Sequence, residues 1–306
     1  WKNAAISGWI LDPDRKKMSK SKGNVVTPMG LLETHGADAV RYWAASARLG
    51  TDAAFDEGQM KIGRRLAIKV LNASKFALTM GDGQELILDP TRVTEPLDLD
   101  ELSRLRRVID TATSAFDDYD HTRALEVTET FFWEFCDDYL ELVKERAYNR
   151  DGDWTEPESA SARAALALVV DAVVRLLAPF LPYATEEVWS WYRTGSIHRA
   201  PWPNASDYHG ATAAEGQASL VELASQLLII LRRVKSDAKA SPRTPLLQTT
   251  IGLPAGQVAS AQLFTRDLEA AVKAATPIQW SSEANTTEPT VVSFELGEAP
   301  QRNRTK

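Results

Sequence analysis

The sequence predicts a mainly α fold: an antiparallel helix bundle, preceded by the end of an α/β domain and followed by a small C-terminal α/β unit. Three observations carry this reading. Between residues 58 and 192, apolar side chains recur at helical rather than alternating spacing over long stretches. Proline and glycine cluster at the joints of these stretches, so successive helices have short links and run antiparallel. At both ends of the chain, short apolar runs bounded by turn residues suit strands.

In chain order, Ala4-Ala-Ile-Ser-Gly-Trp-Ile-Leu11 is apolar and suits a strand, which Asp12-Pro-Asp14 breaks. A Lys/Ser-rich loop follows. Thr27 and Pro28 fit the Ncap and N1 positions of a short helix, and Gly36 suits a left-handed cap at its end. A second helix covers 38–47. Residues 58–80 read as one helix with an apolar stripe of Ile62, Leu66, Ala67, Val70, Ala73 and Ala77, stopped by Gly81-Asp-Gly83. A loop with Pro90 and Pro96 leads to three long helices over 99–118, 121–149 and 157–178. Asp120 fits the N-cap of the second, and Thr155-Glu-Pro157 opens the third. Pro179 and Pro182 precede a shorter helix over 183–192. Residues 194–212, with Pro201-Trp-Pro203, read as a linker. A helix over 215–235 comes next. Strands are expected at 248–253, 277–281 and 290–296, with a helix over 260–274 between the first two. The polar, basic stretch 301–306 is expected to be a disordered tail.

Composition bounds the function. The 306 residues are 44% hydrophobic, enough for a sizeable core, and the length suggests roughly two domains. No run of about 18 apolar residues is present, so no transmembrane helix and no membrane partner are expected. No leader is visible at the start, which points to the cytoplasm, and the opening Trp1 suits a piece of a larger protein. The only cysteine, Cys136, lies in an apolar helical stretch, so a buried structural thiol is expected, with no disulfide framework and no zinc. His35, His121, His198 and His209 are scattered without a ligand-like pair, which argues against any metal site. The net charge of −7 argues against a generic nucleic-acid binder, but its distribution matters more. Residues 58–80 contain no Asp or Glu, yet hold Lys61, Arg64, Arg65, Lys69 and Lys75. A second basic stretch carries Arg232, Arg233, Lys235, Lys239 and Arg243. Acidic residues gather at 98–101 and 117–120. Such local basic faces can hold a polyanion on an acidic protein.

The sharpest motif is Lys17-Met-Ser-Lys-Ser21, continuing through Lys22 and Gly23 to Asn24. Lysines separated by small or flexible residues and followed by glycine suit a mobile loop that lays ammonium groups on a polyphosphate. Twelve residues beyond Asn24 the sequence reads Gly36-Ala-Asp-Ala-Val-Arg-Tyr-Trp43.

The loop resembles the KMSKS signature of class I aminoacyl-tRNA synthetases. Within that class the chain is similar to the C-terminal part of the valyl-tRNA synthetase family. Gly50-Thr-Asp-Ala-Ala-Phe-Asp56, Asn72-Ala-Ser-Lys-Phe76, Trp133-Glu-Phe-Cys-Asp-Asp-Tyr-Leu-Glu141, Ala178-Pro-Phe-Leu-Pro-Tyr-Ala-Thr-Glu-Glu-Val-Trp189 and Ser196-Ile-His-Arg-Ala-Pro-Trp-Pro203 carry the resemblance in their order along the chain. It is good over roughly 1–245 and weak over 246–306. An isoleucyl or leucyl relative and a non-catalytic tRNA-binding module are the alternatives.

The resemblance implies a valine–tRNA ligase that makes valyl-adenylate from valine and ATP and moves the valyl group to tRNA(Val), with Mg2+ accompanying ATP. Lys17 and Lys20 would be the catalytic cations on the triphosphate. Met18, Ser19, Ser21, Gly23 and Asn24 would shape the ATP loop, with Gly23 as its hinge. Residues 1–57 would be the end of a Rossmann-like catalytic domain with the stem-contact region. Residues 58–193 would be the anticodon-binding bundle, 194–212 a linker, and 213–300 a C-terminal helix with the small α/β unit. The acid-free helix would meet tRNA, with Phe76 for base stacking and Lys61, Arg64, Arg65, Lys69 and Lys75 for phosphates. Arg232 and Arg233 would be a second contact. The tryptophans Trp133, Trp154, Trp189, Trp191 and Trp202 are assigned to packing. No His-x-Gly-His element occurs in the sequence, so this chain alone is expected to lack valine activation, and it is expected to be monomeric.

Overall fold

The structure is a computed structural model and describes residues 1–80, 86–208, 219–283 and 286–298. The expected stop at Gly81-Asp-Gly83, His209, the stretch 209–218 that bears the end of the expected linker and the start of the next helix, and the tail 301–306 lie outside the described residues. The chain forms two compact units. One gathers residues 1–79, 105–133 and 167–208, and the other 80–104, 134–166 and 209–306.

In the first unit, β1 (Ile10–Leu11) pairs in parallel with β2 (Ala53–Ala54). The strand expected over 4–11 is thus cut to its last two residues. Its earlier part still runs along 50–53, with the Gly50 amide on Ile6 O and the Ala53 amide on Trp9 O. The Trp9 amide goes instead to the Asp52 carboxylate at 2.7 Å, so a side chain replaces a backbone partner and the ladder stops there.

The helix α1 (Pro28–His35) starts at Thr27 and Pro28, as the capping pattern predicts. Gly36 then adopts φ 86° and ψ 159°, a positive-φ but extended conformation rather than the expected left-handed cap, and the chain turns directly into α2 (Ala37–Ala45). The Asp56 carboxylate caps α3 (Glu57–Leu78) by accepting from the Gly58 and Gln59 amides at 2.7 and 3.2 Å. Ala39, Trp43 and Met60 form a buried cluster backed by Leu31, Val40 and Phe55. Leu66, Val70, Ala73 and Ala77 are buried along α3, as its stripe predicts.

Gly63 has a packing reason to be glycine. A Cβ there would lie 2.5 Å from Tyr42 Cβ on α2, so the two helices approach through its bare backbone. Gly63→Ala is therefore expected to destabilise the chain by about 1–3 kcal/mol. Gly30→Ala, in α1 where nothing lies within 4 Å, is expected to stabilise by up to about 1 kcal/mol. Urea unfolding of the two variants checks both signs.

The long helices appear where the periodicity places them: α4 (Pro96–Asp117), α5 (His121–Glu134), α6 (Leu140–Tyr148) and α7 (Glu156–Leu177), then the shorter α8 (Pro182–Ser190). The Asp120 carboxylate accepts the Arg123 amide at 3.0 Å, the expected cap of α5. The helix expected over 121–149 is interrupted between α5 and α6 by a wide π turn at Phe135–Tyr139, which buries Phe135, Cys136 and Tyr139. Residues 194–208 are not a loose linker. Single helical turns at Ile197–Arg199 and Ala205–Asp207 bury Ile197, Ala205 and Tyr208. Trp202 Nε1 donates to Thr113 Oγ1 at 2.9 Å while its ring meets Phe116 edge-on. Apolar anchors outweigh the local Pro and Gly signals here.

In the second unit, α9 (Leu220–Asp237) is capped by the Ser219 hydroxyl. A three-stranded sheet has β3 (Leu246–Pro254) at its centre, parallel to β4 (Gln279–Glu283) and antiparallel to β5 (Thr290–Leu296). The single helix expected over 260–274 is two, α10 (Gln257–Gln262) and α11 (Thr265–Val272), parted where buried Phe264 turns inward.

The acidic stretch 98–101 is interior rather than solvated: Asp98, Asp100 and Glu101 are buried. The Arg146 guanidinium, 1% exposed, forks onto both Asp98 oxygens at 2.8 Å. Its Nε reaches Asp267 at 2.8 Å, and its Nη1 also donates to the Glu158 carbonyl. Tyr139 and Ser161 hydroxyls donate to Asp98 as well, at 2.7 and 2.6 Å. Asp100 accepts the Ser219 hydroxyl and the Val221 amide. Burial pushes the Glu101 carboxyl up to about 7, against the pull of Arg104 beside it.

Candidate functional site

Proline and aspartate at 12–14 do more than end the first strand. The Asp12 carboxylate accepts the Lys16 amide at 2.7 Å on one oxygen and the Asn24 side-chain amide at 2.8 Å on the other. Those hydrogen bonds, the Lys16 amide first, hold the Asp12 carboxyl below the usual carboxylate range. Asn24 in turn donates to Lys17 O at 3.2 Å and accepts the Ser19 amide at 2.9 Å. A sequence separation of twelve residues is thus closed by one carboxylate and one amide, which tie the two ends of the Lys/Ser loop together.

Within this clamp, Lys20–Lys22 form one tight helical turn. The Ser19 hydroxyl caps it at 3.3 Å from the Lys22 amide, and Gly23 closes it at φ 66°. Ser19 and Ser21 hydroxyls lie 3.2 Å apart. Met18 is half-buried, while Lys17, Lys20 and Lys22 are exposed. The Lys17 ammonium stands 4.0 Å above the Trp9 ring, a cation–π contact that gives it a defined place. The loop therefore presents cations on a fixed turn, the arrangement suited to phosphoryl oxygens.

The α3 helix carries the first basic stretch. Lys61, Arg64, Arg65 and Lys75 are exposed, and Ile68 and Asn72 are exposed between them at helical spacing. Lys69 is half-buried with its ammonium 5.5 Å from the Trp133 ring, and Phe76 is half-buried one turn beyond Asn72. Arg64 is committed to a fold contact, donating to Thr34 O at 2.7 Å, the carbonyl near the end of α1. The second basic stretch is dispersed. Arg232 pairs with Glu141 at 2.9 Å, Arg233 lies 3.7 Å from Asp237, and Lys235 is buried.

Residues 98–251 match the family described as the anticodon-binding domain of tRNA ligase. The chain belongs to this tRNA ligase family. Its first 56 residues, which hold the lysine loop, match the class I tRNA synthetases (I, L, M and V). Among tRNA ligases the similarity is to valine–tRNA ligases. The chain is 56% identical to that of Thermobifida fusca over 90% of its length, and 54% identical to that of Salinispora tropica over 89%. For Bifidobacterium longum subsp. infantis the figures are 48% and 98%. The chain spans about a third of the length of these relatives: 30, 33 and 36%. Among solved structures it resembles the LeuRS of an Agrobacterium radiobacter K84 ternary complex, with a TM-score of 0.54 at 15% identity, over 96% of this chain and 32% of that one. This likeness shows the fold.

For a tRNA ligase chain, the structure brings Lys17, Met18, Ser19, Lys20, Ser21, Gly23 and Asn24 into one turn. It aligns Lys61, Arg64, Arg65 and Lys75 on α3, but gives Arg64 and Lys69 packing partners. The residues missed from sequence are Asp12, read only as a strand breaker, and Trp9, read only as part of a strand. The one signal for Asp12 was its position ahead of the loop. Ile68 and Asn72 share the exposed side of α3 with Lys61, Arg64, Arg65 and Lys75, as the helical spacing from Lys61 to Lys75 predicts. Among the described residues, no group of three or more His, Cys, Asp or Glu side chains could hold a metal ion, and no helix is long and apolar enough to cross a membrane.

Proposed function

We propose that this chain serves valine–tRNA ligation by supplying the loop that holds the ATP triphosphate and the helical region that binds tRNA(Val) at its anticodon. The observation that carries the reading is the clamped turn at residues 12–24, with Lys17 and Lys20 displayed on it, in a chain related to valine–tRNA ligases. Class I tRNA synthetases use ATP, and the two ammonium groups fit a triphosphate whose charge shifts towards pyrophosphate as the adenylate forms. Lys20 meets the β and γ oxygens, and Lys17 leaves the Trp9 ring to join it. Mg2+ arrives with ATP rather than on a carboxylate set of this chain. The setting is the cytoplasm, and the chain acts as a monomer.

On α3, Lys61, Arg65 and Lys75 contact tRNA phosphates, while Phe76 and Asn72 face the bases. Arg64 and Lys69 contribute chiefly by holding α3 in place. Arg232 and Arg233 contribute less, because each already has a carboxylate neighbour. Replacing Lys61 and Lys75 with alanine is expected to weaken tRNA binding. It should also reduce the slope of log K against log salt by about 2, because each lysine neutralises one phosphate. An unchanged slope in a salt series of binding isotherms contradicts this placement of the RNA.

A further inference from the structure

The second unit contains a cleft of about 1160 Å3 between α6, the end of α9, the turn at 240–245 and the end of α11. Among the described residues, five cations and three carboxylates line it. Most of them cancel locally. Glu141 accepts from both Lys144 Nζ at 3.0 Å and Arg232 at 2.9 Å, and Glu145 accepts from Lys273 at 2.7 Å. Two cations are left over, Lys235 and Arg243, against the single carboxylate Glu298.

Lys235 is the informative one, because it is only 4% exposed. Its ammonium donates to Pro242 O at 3.2 Å and to Val272 O at 2.5 Å. An ammonium has three donors, so one remains. Among the described residues no carboxylate lies within ion-pair distance of it. Burial, and then the nearby Lys273 charge, pull its pKa below the usual lysine value. A buried cation with neutral partners alone is costly, and an anion in the cleft would remove the cost. Arg243 is exposed on the same cleft and has no ion pair among the described residues, so its planar fork is available. Phosphate suits this pair of cations better than carboxylate, since three or more oxygens can serve an ammonium and a guanidinium together.

We propose that this cleft is a phosphate-binding site in which Lys235 and Arg243 hold one phosphate group of a nucleotide or of an RNA strand. The cleft has room for the attached nucleoside. The site is independent of the α3 reading above.

The test is fluorescence anisotropy of the 306-residue chain with a labelled oligouridylate of about ten nucleotides, competed by UMP. Arg243→Glu is compared with Arg92→Glu, the same charge change at an exposed residue of the same unit that does not line the cleft. We expect Arg243→Glu to weaken the oligonucleotide by about tenfold, the removal of one charge-assisted hydrogen bond, and Arg92→Glu to weaken it by less than about twofold. Lys235→Met is expected to act in the same direction, and should it fail to fold, the Arg243 and Arg92 pair decides. Displacement of the label by UMP assigns the site to a free nucleotide phosphate, and failure of UMP to displace it assigns the site to a strand; both support the proposal. Equal losses in the two glutamate variants, no loss in either, or no binding by the native chain overturns it.

Discussion

Arg146→Met is expected to lower the stability of the chain by about 3–5 kcal/mol, because it strands two buried carboxylates. Arg146 reaches Asp98 through two nitrogens and Asp267 through a third, all at 2.8 Å, and neither carboxylate is more than 8% exposed. Methionine fills much of the volume, so the loss is electrostatic rather than a cavity effect. Burial already pushes the Asp267 carboxyl up to about 6 with the arginine present, which shows how strongly that site resists charge. Adding Asp98→Asn to Arg146→Met is expected to recover part of the loss, since the amide carries no charge, and it can accept from one of the Tyr139 and Ser161 hydroxyls and donate to the other. Denaturant unfolding of the two single variants and the double variant measures the coupling. A loss below about 1 kcal/mol for Arg146→Met would mean that the network is not a keystone of the second unit.

The second large effect concerns chemistry. In an enzyme that also carries the rest of a class I active site, Lys20→Ala is expected to slow valine-dependent pyrophosphate exchange by about 10²–10³-fold. Lys20 sits at the start of the tight turn, exposed, with its backbone fixed by the Ser19 cap and the Gly23 closure. On the proposed reading its ammonium would be drawn in as charge moves onto the departing pyrophosphate, so the loss is expected mainly in kcat and less in the KM for ATP. Lys17→Ala is expected to cost less, because part of the binding gained on phosphate replaces the cation–π contact with Trp9. Steady-state kinetics of the two variants separates them, and a Lys20 effect below about threefold removes this residue from the reaction.

What was legible in the sequence follows from the range of the interactions. The helices α3 to α9, apart from the break between α5 and α6, are readable because their stripes, N-caps and proline starts are local, as at Asp120 and Pro182. The lysine loop is readable because its motif is contiguous. The clamp that holds it is not, because Asp12 and Asn24 meet only after the intervening turn has formed. The burial of 98–101 is equally hidden: Asp98 finds Arg146 across 48 residues, and Asp100 finds Ser219 across 119. An acidic cluster read without those partners looks like a solvated face. Lys235 misleads for the converse reason. Its neighbours Arg232 and Arg233 mark an outward face, yet the carbonyls that take its ammonium arrive from Pro242 and Val272. The first strand fails for a third reason, since the Asp52 side chain intercepts an amide that a ladder requires.

Recognition of a valine anticodon is the claim on which the proposed function rests, and one binding comparison tests it most directly. The 306-residue chain is titrated with tRNA(Val), and with the same tRNA carrying one changed anticodon base, at a single fixed salt concentration. The changed base is expected to weaken binding by about tenfold or more, the loss of one stacked or hydrogen-bonded base. Equal affinity for the two tRNAs contradicts this recognition.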